Sequence, residues 1–322
     1  MKRNLLLGVI VFLLIQLPVM LSAQSLRDAV DAYNEGAKVF KENPTKALEL
    51  LYRAMEISTA LGEEGDETKI LAQSLIPRTH MELAMSLYRE KKMYETLEQL
   101  EKGRETALKF GDETTRGRID RIIPQLYNQM GNNEFRAQNF KMAIDYYKKA
   151  IGIKPDYVDP FVGISLSFES LGDFESMLEY LKKTIEVANT TNERAKADDA
   201  QRKAKAFLLR NGDEAQRAER FQEAIKWFTR VLEFDTLDAT AYYLLAVNHN
   251  SLRNWDLAIE NATLALERDM TNIKDTDIYY QLGFAYQGKG NNAQACEYYG
   301  RVTSGTFIQT AQYQVQHVLK CP

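Results

Sequence analysis

The stretch YNQMGNNEFRAQNFKMAIDYYKKAIGIKP, residues 127–155, contains two amphipathic segments separated by a polar turn at residues 138–139. Apolar residues recur at spacings of three and four on both sides of the turn, which predicts two helices that fold back on each other. Gly131 and Ala143 stand where two antiparallel helices cross most closely, because neither carries a large side chain. Pro155 ends the second helix. The stretch therefore predicts a helical hairpin.

The same pattern recurs along the chain in seven approximate copies. A small residue is expected in the first helix of each copy, at Gly36, Ala84, Gly131, Ser165, Gly212, Ala246 and Gly283. A second small position falls in the second helix, at Ala47, Thr96, Ala143, Met177, Ala224, Ala258 and Ala295. A large apolar residue follows the turn in copies two to six, at Met93, Phe140, Phe174, Phe221 and Trp255. Met177 departs from the pattern because it is not small.

This pattern resembles the tetratricopeptide repeat, a helix–turn–helix unit of 34 residues. The resemblance implies an all-α fold, a right-handed α-solenoid of about seven such hairpins with a C-terminal capping helix. The expected organisation is a signal peptide at 1–23, repeats one to four at 24–188, a polar connection at 189–203, repeats five to seven at 204–303 and the capping helix at 304–322.

Some copies are further apart than 34 residues. The steps from Ala47 to Thr96 and from Thr96 to Ala143 are longer, which predicts extended helices around the early connections. Each of these connections has a polar loop followed by a long helix interrupted by a proline, Pro77 or Pro124. A third long connection, residues 189–205, is polar and then rich in helix-forming residues. We interpret it as a loop, the exposed start of a long helix and a candidate hinge.

Residues 1–23 have the pattern of an export signal. Lys2 and Arg3 precede an apolar run at residues 5–15, and small residues precede Gln24. The run is shorter than the roughly 20 residues that span a membrane. The pattern predicts cleavage and export to a bacterial periplasm or cell envelope. The alternative is an uncleaved signal that anchors the chain in the inner membrane, which would be its membrane contact.

Composition excludes some classes of function. The chain has 41 basic and 45 acidic residues, a net charge of −4, and no basic run, which argues against a nucleic-acid partner. Its three histidines lie in different copies, and no catalytic or metal-binding motif is present in the sequence. We therefore expect no catalytic residue, no metal and no cofactor. An enzyme or a glycan-binding module that uses the tyrosine-rich C-terminal copies is the minor alternative.

Two cysteines, Cys296 and Cys321, flank the end of the last copy. An isolated pair in an exported chain often forms a disulfide. This bond would close a loop worth about 3–4 kcal/mol in chain entropy and would fasten the capping helix. The alternative is a pair of free thiols.

The resemblance also implies where a partner binds. In this family the first helices of the repeats line a concave groove that takes an extended peptide or a helix of another protein. Matched by repeat position, the groove residues are expected to be Tyr33, Met81, Met85, Tyr88, Asn128, Asn132, Phe135, Tyr243, Asn250, Tyr280 and Phe284. Aromatic and methionine side chains suit adaptable binding, and asparagines can bond a peptide backbone. The alternative for each residue is packing against the neighbouring repeat. The expected function is a non-enzymatic scaffold that binds a protein or peptide partner.

Overall fold

The computed structural model describes residues 25–268 and 275–322, so the expected signal at 1–23 lies outside the described residues. Within these ranges the chain forms fifteen α-helices and no strand. Fourteen of them form seven consecutive pairs: α1 (25–39) with α2 (Pro44–Ala60), α3 (Asp66–Arg89) with α4 (Met93–Phe110), α5 (Glu113–Arg136) with α6 (Phe140–Ile153), α7 (Val158–Leu171) with α8 (Phe174–Thr190), α9 (Arg194–Arg217) with α10 (Phe221–Val231), α11 (Ala239–Ser251) with α12 (Trp255–Leu266), and α13 (Asp275–Gly288) with α14 (Asn292–Gly300). The all-α solenoid of seven hairpins is confirmed. We call the first helix of each pair an A helix and the second a B helix.

The helices form two compact units, one ending at Ser167 and the other beginning at Phe168, inside α7. In the first unit, buried Leu100, Ile119 and Met130 belong to one apolar cluster. In the second unit, Met177 and Leu208 belong to another, so the large residue at this expected small position is accommodated in the core. The candidate hinge at 189–205 stays a prediction. None of the described helices is long and apolar enough to cross a bilayer.

The hairpin at residues 127–155 packs as its sequence predicts. Tyr147 of α6 is 1% exposed and lies against the backbone of Gly131 in α5. A Cβ atom at Gly131 would lie 2.6 Å from the Tyr147 ring, so the two helices approach this closely only because residue 131 is glycine. The same arrangement recurs between Gly212 and Phe228. Small A-helix residues therefore set the spacing within these pairs.

The turns of the second to seventh hairpins each contain a residue with positive φ. Four of these residues are not glycine: Lys91, Gln138, Glu219 and Arg253, with φ between 56° and 63°. After Gln138 the N–H of Asn139 donates to the carbonyl oxygen of Glu134 at 2.9 Å, which closes the end of α5. The large apolar residue that follows each of these turns, such as Phe140, is the first residue of its B helix, as predicted.

Replacing Gln138 by glycine is expected to stabilise the chain by about 0.5–1 kcal/mol. Glycine removes the Cβ strain of the left-handed conformation, and its larger unfolded-state entropy offsets part of that gain. Urea unfolding measures the change. Lys141→Gly, at an exposed helical position of α6, is the control and should destabilise by about 1 kcal/mol. A loss of stability in Gln138→Gly would contradict the argument.

The long helices are present, but the loops before them are shorter than predicted. A 3₁₀ turn, Gly62–Gly65, leads directly into α3, and the side chain of Asp112 caps α5 by accepting from the Thr115 N–H at 3.0 Å. Both A helices have 24 residues and contain the expected prolines. We expected the start of α9 to be exposed, but part of it is buried. Ala197, Ala200 and Ala204 recur on one face and are buried, because small side chains let that face pack closely.

His80 connects three helices of the first unit. Its side chain is 4% exposed, and its ring nitrogens lie 3.0 Å from the hydroxyl of Tyr52 in α2 and 2.9 Å from the Oε1 of Gln99 in α4. Burial is the main cause that lowers the pKa of His80, and the nearby Lys102 acts in the same direction, while the bond to Gln99 opposes them. The neutral ring is therefore favoured in the folded chain.

The free energy of unfolding should fall as the pH drops through the ordinary histidine range, around 6.5, towards the lower pKa of folded His80. The unfolded chain binds this proton more readily than the folded chain does, so stability is lost on acidification. Unfolding by urea at about pH 7.5 and about pH 5.5 measures the loss. His80→Gln should reduce it. His249→Gln is the comparison, because burial also lowers the pKa of His249. An unchanged pH dependence in His80→Gln would disprove the assignment.

The C-terminal segment packs on the last hairpin. Helix α15 (Ile308–Tyr313) continues as a π-helical turn, Gln314–Val318. Ala311 is buried, and Phe307, Val315 and Leu319 pack against the cluster that contains Tyr299, so the expected capping helix is confirmed. Cys296 and Cys321 form a disulfide in the structure, with their Cα atoms 5.7 Å apart.

Candidate functional site

The A helices of the first unit present a small cavity that includes two of the expected groove residues. Met85 and Tyr88 of α3 line a cavity of about 250 Å³ together with residues of α5. The hydroxyl of Tyr88 donates to the Oε1 of Gln129 at 2.7 Å, and Tyr88 is 39% exposed. The cavity therefore combines an apolar wall with exposed polar groups, which suits an apolar side chain of a peptide.

Four α5 residues on this wall were missed by sequence reasoning: Ile122, Gln125, Leu126 and Gln129. Their spacing of three, four and seven residues places them on one side of the helix. That spacing is visible in the sequence. However, repeat position alone directs attention to Asn128 and Asn132, which lie on a neighbouring side.

The expected groove residues of α5 make contacts within the first unit. Asn128 is 8% exposed, and its amide donates to the Tyr157 hydroxyl at 3.2 Å. The Oδ1 of Asn132 accepts from the Tyr147 hydroxyl at 2.8 Å. The ring of Phe135 meets the ring of Phe140 edge-on at 5.4 Å. These three side chains therefore also support the hairpin.

Met81 and Tyr33 are half-buried against apolar clusters. Met81 packs on the cluster that contains Ala84 and Leu100, next to the cavity residue Met85. Tyr33 of α1 packs between clusters of the first hairpin. The structure thus brings Met81, Met85 and Tyr88 together on α3, whereas Tyr33 packs where α1, α2 and α3 meet.

The expected residues of the second unit form an aromatic group on α13. Tyr280 stacks on Phe307 of the C-terminal segment, with ring centroids 4.2 Å apart and an interplanar angle of 8°. Phe284 is 40% exposed, with its ring 6.5 Å from that of Tyr280 and edge-on to Trp255 at 5.8 Å. The C-terminal segment therefore covers part of this group, and Phe284 is its accessible member.

Asn250 lies beside these aromatic residues but is 4% exposed. Its amide donates to the backbone oxygen and to the Oε1 of Gln281, both at 3.0 Å. Tyr243, on the same helix as Asn250, is half-buried. The contacts of Asn250 with Gln281 join α11 to α13. They occupy the Asn250 amide, which the sequence assigned to a ligand.

The hydroxyls of Tyr147, Tyr243 and Tyr280 remain protonated at neutral pH. Burial raises the pKa of Tyr147 to about 12 and also raises the pKa of Tyr243 and Tyr280. Their hydroxyls can therefore donate hydrogen bonds without a change of charge over the physiological range. The chemistry of both faces is apolar contact and neutral hydrogen bonding.

Comparison with known proteins identifies the repeat. Residues 124–157 and 276–304, which correspond to the third and seventh hairpins, match the tetratricopeptide repeat family model. Two of the seven hairpins are therefore tetratricopeptide repeats. The resemblance seen in the sequence is thereby confirmed. A curated relative, small glutamine-rich tetratricopeptide repeat-containing protein 2 of Saccharomyces cerevisiae, is 26% identical over 174 residues, covering 53% of this chain and 49% of that protein. The chain thus spans about half the length of this relative.

Solved structures in the same comparison are also tetratricopeptide proteins. The P58(IPK) TPR domain has 15% identity and a TM-score of 0.33 over 91% of this chain and 98% of that one. YrrB, described as a TPR protein with an unusual peptide-binding site, has 15% identity and a TM-score of 0.29 over 60% and 88%. The TPR2AB domain of yeast Sti1, solved in complex with pHSP90, has 16% identity and a TM-score of 0.29 over 74% and 92%.

Proposed function

We propose that this tetratricopeptide protein is a non-enzymatic scaffold of the bacterial cell envelope that binds a peptide or helix of another protein on its A helices. The observation that carries the proposal is the cavity at Met85 and Tyr88, where exposed apolar and neutral polar groups adjoin on two A helices. Such a preformed surface spends little ordering entropy on binding. Phe284 supplies the corresponding exposed aromatic side chain in the second unit.

The envelope location rests on two features. The order of charged, apolar and small residues at 1–23 is that of an export signal. The disulfide between Cys296 and Cys321 is of a kind that persists in oxidising compartments. Mass spectrometry of the chain recovered from a periplasmic fraction tests the location. A first residue at Gln24 supports export with cleavage, whereas an intact N-terminus in the membrane fraction supports the anchored alternative.

Affinity capture from an envelope extract tests the binding function, with residues 24–322 as bait. The comparison baits are Met85→Ala with Tyr88→Ala, and Phe284→Ala. A matched control is Tyr94→Ala, because Tyr94 is 59% exposed but lies on a B helix. A protein held by the parent and the control, and lost from an A-helix variant, supports the proposal. Equal capture by all baits would contradict it and would direct the search to glycans.

A further inference from the structure

A second and larger cavity opens between α4, α5 and the end of α6. Its volume is about 660 Å³, and we call it the notch. The side chains that carry the argument are Glu101, Glu105 and Leu108 of α4, Ile123 and Tyr127 of α5, and Ile153 of α6. None of them belongs to the cavity at Met85 and Tyr88, so the notch is a separate site in the same unit.

The notch exists because successive hairpins differ in length. The C-terminal half of α4 lies against α2 and α3. There Gly103 approaches Pro77 and His80, and Phe110 packs on the cluster that contains Ile76. Helix α6 has 14 residues where α4 has 18, and it ends at Ile153. The repeat equivalent of Phe110 is Tyr157, which lies beyond the end of α6 and accepts a hydrogen bond from Asn128 of α5, while Leu108 of α4 stays exposed.

Repeat-equivalent residues show how the two pairs correspond. Pro77 and Pro124 stand at matching places in α3 and α5, which makes Ile76 equivalent to Ile123 and His80 equivalent to Tyr127. Tyr127 is covered by α6, since its ring stacks with that of Tyr146 at 6.3 Å. Ile123 also lines the notch and is 4% exposed. The open part thus begins where α6 stops.

Apolar side chains around the notch are exposed to solvent. Leu108 is 63% exposed and Ile153 is 46% exposed. The trough along α5 from Arg116 to Tyr127 is about 16 Å long at 1.5 Å per residue, which is three helical turns. A short helix fits this length, as the end of α4 does on the pair before it.

The charges at the notch are not balanced. Arg104 pairs with Asp120 at 2.5 Å, and Arg116 pairs with Glu113 at 2.6 Å, so both basic groups are already engaged. Glu101 and Glu105 lie one turn apart on α4, and neither forms an ion pair with a basic side chain of the described residues. Burial and, after it, the neighbouring Glu101 carboxylate raise the pKa of Tyr127. The remaining charge of the rim is therefore negative.

We propose that the notch binds an amphipathic helix of a partner protein, with its apolar side on Leu108 and Ile153 and a lysine or arginine beside Glu105. This helix would take the place that the end of α4 takes on the preceding pair, which is the helix-in-groove mode of recognition. Burial of the apolar residues supplies affinity, and the acidic rim selects a basic helix over an acidic one.

Fluorescence anisotropy with the full chain tests this site. The probe is a labelled 16-residue helical peptide with a leucine and alanine face flanked by lysines, and its counterpart carries glutamates in place of the lysines. We expect the basic peptide to bind and the acidic peptide not to bind. Leu108→Ser with Ile153→Ser should raise the Kd at least tenfold, because the apolar contact is lost without a change of charge. Glu105→Lys should raise it about fivefold through lost attraction at a largely solvated site.

The control makes the same substitutions elsewhere. Leu237→Ser with Leu257→Ser alters residues that are 63% and 45% exposed in the second unit, and its Kd should equal that of the parent. Tyr88→Ala should also bind the peptide normally, so this site and the proposed peptide-binding function can fail independently. Absence of binding up to about 1 mM peptide, or equal Kd values for the notch and control variants, would overturn the proposal. Self-association that Leu108→Ser with Ile153→Ser abolishes would assign the notch to a second copy and overturn it too.

Discussion

Replacing Tyr147 by alanine is expected to lower the free energy of unfolding by about 3–5 kcal/mol. The side chain is 1% exposed and fills the space between two helices whose backbones approach it at Gly131 and Gly163. Cβ atoms built at these glycines would lie 2.6 Å and 2.4 Å from the ring, so the ring has little freedom to shift. Alanine would leave a cavity that the rigid glycine backbones cannot collapse to fill.

Two further variants separate the causes of this loss. Tyr147→Phe removes the bond to the Oδ1 of Asn132 and should cost about 0.5–1.5 kcal/mol. Gly131→Ala adds the Cβ that meets the ring and should cost about 1–3 kcal/mol. Urea unfolding followed by circular dichroism measures all three. The control is Tyr94→Ala, because Tyr94 is 59% exposed. A Tyr147→Ala variant no less stable than Tyr147→Phe would show that the ring is not the close-packed element we describe.

The sequence predicted one side of this contact and missed the other. Gly131 was identified because a small residue is required where paired helices cross. In the next A helix, repeat position directed attention to Ser165, whereas the residue that meets Tyr147 is Gly163. The repeat pattern specifies packing within a hairpin. Contact with the next hairpin also depends on the helix rotation that the side chains of both hairpins set together.

The sequence likewise predicted some residues of the candidate site and missed others. Met85 and Tyr88 were predicted from repeat position, but the cavity also needs Gln125 and Gln129, which depend on how α5 lies against α3. Asn250 matched its repeat position and is nevertheless engaged with Gln281. The spacing of residues within one repeat does not predict hydrogen bonds between adjacent A helices, because these bonds depend on side chains of two repeats.

The notch could not be predicted from residue types. It results from a difference in length between α4 and α6, so the feature that creates it is where a helix ends. The sequence did indicate long helices in this region, through the steps between equivalent small residues. Only the structure shows that Leu108 and Ile153 meet at the same opening.

Removing both cysteines, as Cys296→Ala with Cys321→Ala, is expected to lower the stability of the C-terminal segment by about 3–4 kcal/mol. The bond closes a loop of 25 residues, and opening that loop returns chain entropy to the unfolded state. In a repeat protein each unit depends mainly on its neighbours, so the loss should concentrate in α14 and α15. After the bond is lost, the contact of Phe307 with Tyr280 still favours packing of the segment on α13.

Hydrogen exchange followed by mass spectrometry measures this effect segment by segment. Amides of residues 308–318 should exchange faster in the double variant, while those of α3 to α6 should keep their protection. The parent chain treated with a reductant should reproduce the result, because it loses the same bond without a substitution. Since Phe307 covers Tyr280, release of the segment should also expose the aromatic group of α13 to solvent and to a peptide. Equal protection of residues 308–318 in the parent and the variant would show that side-chain packing alone holds the segment, and that the disulfide is dispensable for it.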